Sequence, residues 1–110
     1  MINAQKLDET MLELGHSDNL IGTDYLRQGI ALYEAGARAI TKELYPAIAK
    51  AANSTPARVE RTMRHSIERA WERGSWDAQM RCFGHSIDPR KGCPTVSEYL
   101  ARMARICHED

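Results

Sequence analysis

The stretch PAIAKAANSTPARVERTMRHSIERAWER, Pro46 to Arg73, decides how the rest of the chain is read. Pro46 suits the first turn of a short helix carrying Ile48, Ala49 and Ala52, because that position needs no N–H donor. Asn53 and Ser54 then break the pattern, and Asn tolerates the left-handed backbone conformation a tight turn often needs. Thr55-Pro56 restarts it: the hydroxyl can cap free N–H groups while proline fills a donor-free position. From there helical spacing runs to Arg73, and Gly74 stops it. A short helix, a tight break and a long second helix have the proportions of a helix-turn-helix, whose second helix enters the major groove of double-stranded DNA. Small Ala49 permits close crossing, and Val59 is expected to pack down onto the first helix.

At about 100° per residue, Val59, Met63, Ile67, Ala70 and Trp71 share one stripe of the long helix, and Arg58, Arg61, Arg64 and His65 the opposite one. The bland account of the second stripe is a solvated face, with Glu60 pairing Arg64 at i+4. The functional account is a set of base contacts, since the first half of a recognition helix meets base edges and the positive helix end attracts phosphate. Cap, proline start, a small residue in the preceding helix and arginines rather than lysines favour the second account. Arginine's planar fork can bond guanine O6 and N7 together. Lys50, Ser54 and Thr55, at the turn lying against the backbone, are the candidate phosphate contacts. Arg90 and Lys91, in the loop Asp88 to Pro94, are further candidates, with a solvated loop as the alternative.

Working outward, no run alternates strictly enough for a strand, and the chain reads as all-α, about six helices over one domain, residues 1–110. Ala4, Leu7, Met11 and Leu14 give a first helix from Asn3 to Leu14 with Gly15 as its stop. Thr23 can cap a second, with Leu26, Ile30, Tyr33 and Ala37 as its buried stripe, ending near Gly36. Ile40 to Tyr45 leads into Pro46, Trp76 to Cys82 ends at Gly84, and Thr95 or Ser97 starts the last helix, to Cys107. Trp71 is expected in the core, whereas Trp76 has no apolar partner a turn back and could pack at a domain or dimer contact.

The hydrophobic fraction of 43% and charged fraction of 27% describe a folding sequence rather than a disordered one. Fifteen Lys+Arg balance fifteen Asp+Glu, so charge has to be argued locally: residues 51–110 hold ten basic against eight acidic side chains, residues 1–50 five against seven. No signal peptide or membrane span is read, which points to the cytoplasm, in association with the nucleoid. Cys82, Cys93 and Cys107 are expected as free thiols. Cys82, His85 and Cys93, with Cys107 or His108, could offer zinc thiolate and imidazole, but paired C-x2-C knuckles are missing, and neither metal nor cofactor is expected. A Gly-rich phosphate loop, G-x-S-x-G and H-E-x-x-H are all absent, and the chain is not expected to be an enzyme.

The interrupted run Leu44-Tyr45-Pro46, Ile48-Ala49-Lys50, Arg58-Val59-Glu60-Arg61, Arg64-His65, Ile67-Glu68, Ala70-Trp71 and Arg73-Gly74 resembles the C-terminal DNA-binding effector domains of the sporulation response regulators, the stage zero sporulation protein A family. Phe83-Gly84, Pro94-Thr95 and Ser97-Glu98 continue the likeness, which is weakest before Leu26. The resemblance implies a six-helix effector that binds TGTCGAA-like promoter boxes, as a homodimer on tandem sites, and activates or represses transcription at the onset of sporulation. RNA polymerase is the further partner expected. Arg58, Arg61, Arg64 and His65 match the family's recognition helix, and Glu60 stands with them. Pro56 departs from the family at the helix start, and no phosphoacceptor receiver domain is expected in this chain. The competing reading is a helical protein-interaction module, or anti-regulator, that uses the same fold without specific DNA binding.

Overall fold

The computed structural model describes residues 1–84 and 92–109. Within them the fold is all-helical: α1 (Ala4–Leu14), α2 (Ile21–Glu34), a π-helical turn (Ile40–Leu44), α3 (Tyr45–Ala52), α4 (Pro56–Arg73), α5 (Trp76–Phe83) and α6 (Val96–Ile106). An isolated bridge between Ile2 and His108 brings the two ends of the described chain together.

Side-chain caps set most of the helix starts. Asn3 accepts from the Lys6 amide, Thr55 from Arg58, Ser75 from Ala78 and Thr95 from Glu98. At α6 the bond is reciprocal, with Glu98 Oε1 accepting from the Thr95 amide at 2.8 Å, so two otherwise free donors are satisfied. The second helix departs from expectation. It begins at Ile21, and Thr23, buried in its first turn, donates its hydroxyl to the Ser17 carbonyl at 2.7 Å, closing the preceding turn instead of capping the helix. Ala37 lies beyond the helix end. The turn before α3 is π-helical, with the Tyr45 amide reaching back five residues to the Ile40 carbonyl, and Pro46, which has no N–H, follows in the first turn of α3.

The core is built around α4. Its buried stripe, Val59, Met63, Ile67 and Ala70, packs against α2 and α3, while α2 also packs along α6. Gly22 and Gly29 permit these crossings: a Cβ at Gly22 would stand 2.8 Å from the Ser66 Cβ, and one at Gly29 3.0 Å from the Met63 methyl. Phe83 and Tyr99 stack with centroids 5.5 Å apart. Trp71, expected in the core, is only partly buried and meets the edge of that pair at 5.1 Å from Phe83. Trp76 is 70% exposed.

Buried polar groups fix the register of this packing. Gln79 donates from Nε2 to the carbonyls of Leu14 and Ala70, each at 3.2 Å, tying the ends of α1 and α4 together. His16 bridges Ser66 Oγ at 3.1 Å from Nδ1 and the Tyr99 hydroxyl at 2.8 Å from Nε2, which suits a neutral imidazole with one donor and one acceptor nitrogen. Burial, reinforced by the positive charges of Arg27 and Arg73, lowers its pKa to about 4. The unfolded chain therefore binds a proton that the folded one refuses between about pH 6.5 and pH 4, and His16 takes stability away as pH falls through that window. Urea unfolding at pH 7, 6 and 5 is expected to show a loss that is smaller in His16→Gln. An NMR titration placing the His16 midpoint near that of a free imidazole would contradict this.

Candidate nucleic-acid interface

The geometry of the α3–α4 corner follows from its sequence. Asn53 is the described non-glycine residue with positive φ, at 53° with ψ 49°, and ends α3 in the left-handed conformation. The Ser54 amide then donates to the Ala49 carbonyl at 2.8 Å, Ala49 is buried at the crossing, and Val59 is fully buried beneath α4. α3 followed after this turn by the 18-residue α4 makes a helix-turn-helix.

The first turn of α4 contains no acidic side chain, although the positive end of a helix favours one by about 0.3–1 kcal/mol. Arg58 stands there instead. The arrangement forgoes local helix stability and concentrates positive potential at the helix start.

Arg58, Arg61, Arg64 and His65 are all exposed, as the helical spacing predicts. They do not form one uniform set. Arg58, Arg61 and His65 form no side-chain hydrogen bond or ion pair with the described residues, so their side-chain donors face solvent. Arg64 is engaged through Nε by Glu60 Oε1 at 3.0 Å. This pair turns toward the flank shared with Tyr45 and Thr95, where it lines a cleft that Glu68 and Cys93 also border. Bonding through Nε leaves both terminal nitrogens of Arg64 able to donate elsewhere.

Lys50 is exposed on the last turn of α3, Ser54 is half-buried in the turn, and Thr55 is exposed with its oxygen accepting the cap bond at 3.2 Å. The Thr55 hydroxyl proton stays available to an outside acceptor. Arg90 and Lys91 lie outside the described residues, as does His85. The structure adds two cations that sequence periodicity did not single out, Arg69 and Arg73, on the α2-facing side of α4. Their spacing from Arg61 and His65, in steps of four, was the available signal.

Among the described residues, no three His, Cys, Asp or Glu side chains come together as a metal would require. Cys82 and Cys93 border different cavities, and burial pushes the thiols of Cys82, Cys93 and Cys107 up, away from the thiolate. No helix among the described residues is long and apolar enough to cross a membrane. A helix-turn-helix with a basic, outward-facing second helix is thus in place, and residues 7–106 match the family model described as sporulation initiation factor Spo0A C terminal. The match covers nearly the whole chain, which belongs to this family of DNA-binding effector domains of a sporulation transcription regulator.

Proposed function

We propose that the chain, acting as a single unit, reads promoter DNA by laying the first half of α4 in the major groove. Arg58, Glu60, Arg61, Arg64 and His65 contact bases, while Lys50, Ser54 and Thr55, with Arg90 and Lys91 of the 85–91 segment, contact phosphates. The observation that carries this reading is the exposed face of Arg58, Arg61 and His65, whose side chains are unpartnered among the described residues, at a helix start without acids. The targets are TGTCGAA-like boxes, bound by homodimers on tandem sites in the nucleoid-bearing cytoplasm. There the bound protein adjusts the access or activity of RNA polymerase. Glu60 has two tasks in this arrangement: it fixes Arg64 through Nε and offers its free oxygen to a cytosine amino group.

Titration of a TGTCGAA-containing duplex and a scrambled duplex over a range of salt concentrations tests the reading. Affinity is expected to fall steeply with salt, because phosphate contacts release counterions, and the box is expected to be preferred. Lys50→Ala is expected to weaken both duplexes in equal proportion and to lower the salt slope by about one. An absence of duplex binding at low salt, alongside a stable complex with another protein, would favour the interaction-module reading instead.

A further inference from the structure

The outer face of α4 is bordered by two flanks of opposite electrostatic character. On the α2 side, Thr62, Arg69 and Arg73 line a cavity of about 230 Å³ whose far wall is the start of α2, with Leu20 and Ile21 at its rim. No carboxylate among the described residues lines it. The acids nearest that wall in sequence, Asp18 and Asp24, are turned onto Arg27, which also holds Asp8 at 2.7 Å. Arg73 is close enough for its charge to disfavour protonation of His16. Arg69 and Arg73, like Arg61, have no side-chain hydrogen bond or ion pair with the described residues. The opposite flank carries Glu60, Arg64 and Glu68, so carboxylates outnumber guanidinium groups there.

A helix with its side chains is about 10–12 Å across, and the major groove is about 12 Å wide. A helix seated in the groove therefore sets each flank against one of the two phosphate backbones. Arg69 lies about 12 Å along α4 from Arg61, on the side that the lining of the cavity identifies. We propose that one phosphodiester strand runs along the α2-facing flank of α4, held by Arg69 and Arg73 and seated against the wall formed by Leu20 and Ile21. This inference rests on the DNA-binding reading above and assigns the strand that reading leaves open. Leu20 and Ile21 are 42% and 60% exposed, and the carbon faces of deoxyribose would cover them. The carboxylate-rich flank repels a phosphate chain, so anchoring is one-sided over the length of α4 that the Glu68 side leaves negative.

The test uses the full chain, a TGTCGAA-containing duplex and a random-sequence duplex, with Arg69→Ala, Arg73→Ala and the double variant. The salt slope is expected to fall by about 0.9 per arginine, and affinity for both duplexes to fall by roughly fivefold per arginine at about 0.15 M salt. Both side chains are exposed, so urea midpoints are expected to change little, the larger change being that of Arg73→Ala, which removes a cation from the last turn of α4. Replacing the phosphates of one strand beside the box by neutral methylphosphonates is expected to weaken the wild-type chain and to leave the double variant no weaker than before. An unchanged slope in the double variant, with the wild-type chain still binding the box, would overturn the assignment while leaving the DNA reading intact. Loss of all duplex binding by the wild-type chain would instead remove the reading beneath it.

Discussion

Arg61→Ala is expected to flatten the preference at one G·C position of the target by about 1–3 kcal/mol, roughly 5- to 150-fold, with a much smaller effect on binding to unrelated duplexes. Arg61 is exposed, lies near the centre of the outward face of α4, and has no side-chain hydrogen bond or ion pair among the described residues. Its planar fork is therefore available without first breaking a bond within the protein. Arg61→Lys retains the charge and loses the fork, so nonspecific binding is expected to persist while sequence preference falls. Arg64→Ala is a different experiment, because it also releases Glu60. Binding of wild type and variants to a panel of single-base-pair substitutions of the box checks the assignment. An Arg61→Ala variant that weakens every duplex as evenly as Lys50→Ala would make Arg61 a phosphate contact and withdraw α4 from the groove.

Gly74→Ala is expected to destabilise the fold by about 3 kcal/mol or more, at the upper end of what overpacking costs. The added Cβ would stand 1.9 Å from the Leu14 carbonyl oxygen, 2.4 Å from its carbon and 2.8 Å from Gln79 Nε2. Two of those obstacles are backbone, and Gln79 is held by two hydrogen bonds, so nothing nearby can give way cheaply. The φ of Gly74 is −80°, which alanine adopts freely, so the whole cost is steric. Gly36 is the contrast. It has φ 120° and open space within 4 Å of where a Cβ would stand, and Gly36→Ala is expected to cost about 1–2 kcal/mol from backbone strain alone. Urea midpoints of the two variants compare the effects directly; a Gly74→Ala midpoint matching the wild type would contradict the close approach of α1 and α4.

The residues that reveal the helices in the sequence are those whose chemistry acts locally. Thr55-Pro56 and Asn53 act within a turn of themselves, and the structure uses each in that way; of the two starts open for the last helix, Thr95 and Ser97, it takes Thr95, paired reciprocally with Glu98. Gly74 is legible as a stop but not as a contact, because the Leu14 carbonyl that demands it is sixty residues away in sequence. His16 is hidden for the same reason. In sequence it belongs to a turn-prone stretch, and only the fold brings Ser66 and Tyr99 to its two nitrogens. Thr23 misleads because a hydroxyl near a helix start can serve the preceding turn as readily as the helix. The basic face of α4 is readable from periodicity. The division of that face into an arginine flank beside α2 and a glutamate-containing flank beside Thr95 needs the neighbouring elements in place.

Selection from a pool of random duplexes tests the central claim most directly, since it presupposes no target. The wild-type chain is expected to enrich a TGTCGAA-like box, and Arg61→Ala to enrich the same box with one G·C position relaxed. Recovery of no common sequence at low salt, or of a box that Arg61→Ala selects with unchanged preference at every position, would contradict the placement of α4 in the major groove.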